Sequence, residues 1–263
     1  MYKSILFLFF AICVEASDLK LGVEDSWPPY ADANGEGISK ELVLAAYKSV
    51  GLIPDIKVYP YSRVLNLVEN GELIGGFNVT RQDSTMAKFL FGEQYLFKAP
   101  ASIYYNKAQS FSSLKDIPDG FNLGVIRGYE YGDEFEKEKG RFKVVHVNTQ
   151  EQLLNMLARK RLQGVILFEL VKDYTVNFYN IKSVKFFKGF HNQTSFIYVA
   201  FSKKNPKASF YAKKLDEGLK NIRSSGEYDK IFERQKMMMF TEIFLKEDFL
   251  VAAFPYKESF RYR

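Results

Sequence analysis

The chain has 263 residues, 47% of them hydrophobic and 26% charged, which is enough apolar material for one large domain or two ordinary ones. No apolar stretch approaches the roughly 20 residues that cross a bilayer, so the composition excludes both a disordered chain and a helical integral membrane protein. The net charge of +6 comes from lysines spread along the chain rather than clustered, which speaks against nucleic-acid binding.

The longest apolar run, Ile5 to Val14, follows Lys3 and ends at Val14-Glu15-Ala16. Residues 1–16 therefore read as a secretory signal, in preference to a short buried helix. Cys13, the only cysteine, would leave with it, and the bulky Ile12 argues against a lipid anchor there. The mature chain would then have no disulfide framework, thiolate nucleophile or cysteine metal site.

Beyond the signal, strand and helix patterns alternate. Leu19 to Val23 predicts a strand, followed by the turn-rich Ser26-Trp27-Pro28-Pro29-Tyr30 and a helix from Ile38 to Val50 that Gly51 ends. Ile56 to Tyr59, Ser62 to Glu69 and Leu73 to Val79 predict strand, helix and strand, which completes a βαβαβ unit. A second unit begins near Ser112: strand Asn122 to Ile126, an acidic helix around Tyr129 to Lys139, strand Phe142 to Val147, a Thr149-capped helix to Lys160, and strand Gly164 to Phe168. Asn205-Pro206 opens a long helix through Ser225, and Gly226 separates it from a last helix near Lys236. With no Gly/Ser linker between the halves, the joints are expected to be strands, at Ser102 to Asn106 and Phe196 to Phe201. The fold class is α/β with two lobes.

The order of several segments carries a resemblance. They are Trp27-Pro28-Pro29-Tyr30, Gly37-Ile38-Ser39-Lys40-Glu41-Leu42, Val68-Glu69-Asn70-Gly71-Glu72 through Gly76-Phe77-Asn78-Val79-Thr80, Gly124-Val125-Ile126-Arg127-Gly128, and Ala200-Phe201-Ser202-Lys203-Lys204-Asn205-Pro206 with Ser225-Gly226-Glu227-Tyr228. Over about residues 19 to 236 the chain resembles the periplasmic solute-binding proteins of ABC importers, of the amino-acid type called bacterial extracellular solute-binding family 3. That resemblance implies a periplasmic-binding-protein-like fold with two hinge strands and a ligand cleft between the lobes. Lobe 1 would comprise residues 17–104 and 198–236, lobe 2 residues 105–197, and residues 237–263 an atypical tail. The tail packs on lobe 1, contacts a partner or hangs free.

The resemblance also implies candidate ligand-binding residues. Trp27 would line the cleft and stack on ligand, or else pack on its own lobe; Tyr30 would join it or pack beneath that loop. Asn78, Thr80 and Arg81 stand at the end of the third strand. The family's amino-acid binders have Thr-x-x-Arg there, with the arginine on the ligand carboxylate, but here Asp83 occupies the fourth position. Arg81 would substitute, or be a solvated loop charge. Arg63 would reach the cleft mouth or the surface. Arg127, Gly128 and Tyr129 join a strand to a helix whose N–H groups favour an anion, although Tyr129 and Glu130 replace the family's small hydroxyl residues. Glu169 is the acid nearest the position where amino-acid binders grip the ligand ammonium, or else it caps the next helix. With the amino-acid clamp altered at three places, the expected ligand is a small polar or aromatic metabolite.

Import through an ABC permease is the leading function, with a sensor signalling to a membrane receptor as the alternative. A dehydratase using Glu169 or Glu130 is the third. His146 and His191 form no sequence-visible triad or metal cluster, so no enzymatic role, cofactor, metal or nucleic-acid partner is expected, and the protein is expected to be a periplasmic monomer.

Overall fold

Leu21 and Val23 are buried in β1 (Lys20–Glu24), and all six residues of β3 (Gly75–Thr80) and all five of β8 (Gly164–Phe168) are buried. Strands covered on both faces read as continuous apolar runs, and such runs assemble into parallel sheet. The computed structural model describes residues 18–181, 185–235 and 237–238. The signal reading on residues 1–16 and the tail from residue 239 lie outside the described residues.

The described strands form one sheet in the order β2-β1-β3-β9-β5-β8-β6-β7. In one half, β1 runs parallel to β2 (Asp55–Tyr59) and β3, with α1 (Ile38–Ser49) and α2 (Tyr61–Asn70) as crossovers. In the other, β6 (Asn122–Ile126) runs parallel to β7 (Lys143–Val147) and β8, with α4 (Asp133–Glu138) and α5 (Gln150–Ala158) as crossovers. Between them lies an antiparallel ribbon of β5 (Phe97–Tyr105) and the 16-residue β9 (Phe187–Ser202). The last residues of β9 pair with β3 and with β4 (Phe89–Phe91), while Ala101–Tyr105 of β5 pair with β8. Of the expected joints, Ser102 to Tyr105 fall on β5, with Asn106 just past its end, and Phe196 to Phe201 fall on β9.

Several boundaries differ from expectation for local reasons. The acidic helix begins at Asp133, not Tyr129, because Gly132 adopts φ 93° and the Tyr131 hydroxyl accepts the Ile126 N–H at 2.9 Å, folding residues 128–132 into a loop. The long helix α7 (Ala208–Ser224) begins two residues beyond Pro206, since Asn205 Oδ1 first accepts the Lys207 N–H at 2.9 Å in a turn. The short α3 (Asp83–Lys88), β4, α6 (Glu169–Phe178) and the first half of β9 have no clear sequence period.

One core of buried side chains runs from Leu19 and Leu42 through Trp27, Phe97 and Phe168 to Leu123 and Phe135, so it passes through the ribbon into both halves. Helix α7 lies directly on α1. A Cβ at Gly218 would stand 2.1 Å from the Ala46 carbonyl oxygen, whereas one at Gly140 would meet nothing within 4 Å. We expect Gly218→Ala to lose about 1–3 kcal/mol in chemical denaturation, by forcing two helix backbones apart. Gly140→Ala should leave the midpoint unchanged, and equal behaviour of the two variants would contradict this packing.

Candidate functional site

The carboxyl ends of β1, β3, β6 and β8 face one another across the ribbon, which is where open α/β sheets gather ligand-binding side chains. The register of β1 and β3, with Leu21 opposite Gly75 and Gly22 opposite Gly76, brings Glu24 level with Asn78. Asn78 interrupts the pairing of β3 with β9 between Phe77 and Val79 and takes φ 73°, a left-handed conformation that asparagine tolerates better than most residues. This bulge holds a polar side chain at 4% exposure between the apolar Phe77 and Val79.

The two lobes meet here through a crossed pair of hydrogen bonds. Tyr129, on the loop after β6, donates its hydroxyl to Glu24 of β1, while Tyr61, at the start of α2, donates to Glu130 Oε2 at 2.7 Å. The two tyrosine rings stand edge to face at 5.1 Å. Gln150, the first residue of α5, donates Nε2 to the Ser26 carbonyl at 3.2 Å. At the far side the Gln82 amide oxygen accepts the Gly132 N–H at 3.2 Å. Trp27 packs with its ring centroid 4.9 Å from Phe168 of lobe 2 and 4.5 Å from Tyr30 of its own lobe.

Both acids are pushed up by this burial. Glu24, 1% exposed, rises to about 8, with desolvation outweighing the hydrogen bond of Tyr129 and the nearby Asn78 amide; Glu130 and Asp25 raise it further. Glu130 rises to about 7 for the same reason, against the Tyr61 hydroxyl and the Thr80 backbone, with Glu136 adding to the rise. Inside the same region the Trp27 Nε1, both amide atoms of Asn78 and the Gln150 Oε1 are buried without a hydrogen bond of normal geometry. Buried polar atoms of this kind call for a partner.

The sequence-predicted residues divide by where their side chains go. Trp27, Asn78, Thr80, Gly128, Tyr129 and Glu130 stand together at the lobe junction; a Cβ on Gly128 would lie 3.7 Å from Ser62 across it. Tyr30 is buried under the first loop, stacked on Phe97 at 4.3 Å. Arg63 lies over the Tyr59 ring at 5.5 Å, and Arg81 over Tyr198 at 5.6 Å with Nη1 3.5 Å from the Gly92 carbonyl. Arg127 is exposed at the rim and donates to Asn148 Oδ1 at 3.4 Å. Glu169 accepts from Ser102 at 2.7 Å and pairs with Lys188 at 2.8 Å. Burial works to raise its carboxyl, and these partners outweigh it and hold it below the ordinary value.

Glu24, Tyr61, Gln150 and Phe168 are at the junction too, and sequence reasoning did not single them out. The available signal was an acid directly extending an apolar strand at Glu24. His146 is exposed on β7, and His191 on β9 approaches Thr194 Oγ1 at 3.1 Å. Among the described residues, no helix is long and apolar enough to cross a membrane, and no group of three His, Cys, Asp or Glu is arranged to hold a metal ion. Grooves of about 500 Å³ and 320 Å³ open beside Tyr129; Tyr61, Ser62 and Arg127 line the first, and Gln82, Gly128 and Glu130 the second.

The sign of the pH dependence follows from the two raised acids. The closed cleft binds more protons than an opened one, so closure is fully favoured below about pH 4.5 and weakens as pH rises through about 7 to 8. Small-angle scattering should show the protein expanding between about pH 5 and about pH 9, and Glu24→Gln with Glu130→Gln should suppress that expansion. A radius independent of pH in the unsubstituted protein would contradict the buried-acid account.

Among solved structures, a histidine kinase sensor domain with similarity to periplasmic binding proteins superposes with a TM-score of 0.71 at 16% identity, covering 82% of this chain and 95% of that one. An ancestral arginine-binding protein bound to arginine gives 0.68 at 23% identity, with 82% and 97% covered. The arginine-, lysine-, histidine-binding protein ArtJ from Geobacillus stearothermophilus gives 0.67 at 19% identity, with 82% and 94% covered. At these identities the likeness is one of fold, the two-lobed α/β architecture of periplasmic binding proteins. No protein of curated function matches the sequence. The profile of one family spans residues 19–237, nearly the whole described chain. The chain belongs to the bacterial extracellular solute-binding proteins, family 3, and is a periplasmic binding protein.

Proposed function

We propose that the protein captures a small polar molecule at the junction of Trp27, Asn78, Thr80, Tyr129 and Glu130, joined by Glu24, Tyr61 and Gln150, and presents it to an ABC permease. The lobes so joined are residues 17–104 with 198–236, and residues 105–197. The observation that carries this reading is the set of buried, unpartnered polar atoms between two lobes, on Trp27, Asn78 and Gln150. A folded protein rarely leaves such groups unpaired, and a ligand with matching donors and acceptors supplies the missing partners. Capture by hinge motion fits the ribbon of β5 and β9, because two strands are all that must flex for the lobes to part.

Sensing is the second reading, favoured by the superposition on a histidine kinase sensor domain at a TM-score of 0.71. Import and sensing ask the same of the cleft and differ in the partner that recognises the closed form. A permease and ATPase that co-purify with the protein would favour import, and a receptor kinase would favour sensing.

Trp27 is the sole tryptophan and lies at the junction, so its fluorescence should report occupancy directly. Native mass spectrometry of protein taken from its own periplasm should reveal a retained small molecule, and adding that molecule to emptied protein should shift Trp27 emission. An empty protein whose emission answers to no compound in a broad metabolite screen would overturn the capture reading.

A further inference from the structure

Glu24 and Glu130 stand inside the lobe junction at 1% and 9% exposure. The groups facing Glu24 are Tyr129 and Asn78, with Asp25 and Glu130 at longer range; those facing Glu130 are Tyr61, the Thr80 backbone and Glu136. None of them is a cation. The arginines nearest in sequence to the junction bind outside its buried part: Arg63 lies over Tyr59, Arg81 over Tyr198, and Arg127, on the exposed rim of the groove beside Tyr129, donates to Asn148.

Acceptors are in excess. Glu24 takes the Tyr129 hydroxyl and is approached by the Asn78 amide, and Glu130 takes the Tyr61 hydroxyl beside its own and the Thr80 backbone, while a carboxylate offers about four acceptor sites. Asn78 Oδ1 and Gln150 Oε1, on residues 4% and 5% exposed, accept none. Around them stand the rings of Trp27, Tyr61, Tyr129 and Phe168, surfaces that attract a cation. A ligand carboxylate entering here would be stripped of water beside two acids with no buried cation to receive it. A cation would supply the missing donors and favour the ionised carboxylates. The free donor, Trp27 Nε1, leaves room for one hydroxyl or carbonyl oxygen on the same molecule, while the Asn78 amide faces Glu24.

We propose that the cleft is built for an organic cation, a primary amine or guanidine without a free carboxylate, held by Glu24, Glu130 and the free acceptors of Asn78 and Gln150. This inference rests on the capture reading of the same cleft. Tyr129 and Tyr61 hold the two acids with their hydroxyls, and the ligand's N–H groups take over those positions as it enters.

The test is calorimetric titration of the full chain with matched pairs: agmatine against arginine, putrescine against ornithine, and phenylethylamine against phenylalanine, with succinate as the dianion. At least one amine should bind about tenfold or more tightly than its parent amino acid. Titration in two buffers of different ionisation enthalpy near about pH 7 should show protons released on binding. Glu24→Gln and Glu130→Gln should each weaken that amine about tenfold without lowering the melting temperature of the unliganded protein.

Tighter binding of the amino acids or of succinate would overturn the cation assignment and leave the capture reading standing. Amine binding indifferent to both glutamine variants would place the amine elsewhere and overturn it as well. Failure of every compound, together with an empty protein by native mass spectrometry, would remove both readings.

Discussion

Strands β5 and β9 pair with each other from Phe97 opposite Ile197 to Tyr105 opposite Phe187, and each also pairs with a parallel strand of one half, β5 with β8 and β9 with β3. Everything at the junction depends on that ribbon. It makes one continuous sheet of two halves, and it turns the carboxyl ends of β1 and β3 toward those of β6 and β8. The register on each side then decides which side chains meet. Glu24 and Asn78 come level because β1 and β3 are in step, and Tyr129 and Glu130 arrive opposite them because β6 ends at Ile126 and the chain loops before α4.

The junction is costly in electrostatic terms and is held by packing. Removing two carboxyls from water disfavours their ionised forms, and the crossed tyrosine hydrogen bonds offset part of that penalty. The apolar share comes from Trp27, Phe97, Phe168, Tyr30 and Tyr131, which are nearly fully buried and connect the two halves of the core. Edge-to-face and stacked rings of this kind each add about 0.5–1.5 kcal/mol beyond the area they bury. Apolar packing therefore holds the junction against the cost of two desolvated acids.

The sequence was legible where burial on both faces leaves an apolar run. Asn122–Ile126 and Gly164–Phe168 are strands over the very residues the pattern marks, and α1 and α5 agree with their periods and caps, Thr149 accepting the Gln152 N–H at 3.2 Å. It was illegible where a neighbour decides the conformation. The first half of β9 contains Lys188, His191, Asn192 and Gln193, a polar stretch that becomes a strand because β5 supplies its partner. Tyr129 to Gly132 look helical by composition and are held as a loop by Gly132 and the Tyr131 hydroxyl. Position at a strand end pointed to Asn78, Thr80, Tyr129 and Glu130. It did not mark Gln150, whose proximity to Ser26 exists only once the lobes meet.

The arginines illustrate why side-chain destination matters more than residue type. A guanidinium near the end of β3 is chemically suited to a carboxylate, yet Arg81 is drawn to the Tyr198 face and the Gly92 carbonyl. Glu169 is likewise spoken for by Ser102 and Lys188 of the ribbon strands, where it ties α6 to β5 and β9. With those charges withdrawn, the field inside the cleft is set by Glu24 and Glu130 alone among the buried ionisable acids that meet there. A neutral cleft at low pH becomes a doubly acidic one as pH rises, so closure without a cation and closure around one respond to pH in opposite directions. If the proposed cation is the ligand, the ionisation of these two acids is by itself enough to distinguish an occupied cleft from an empty one.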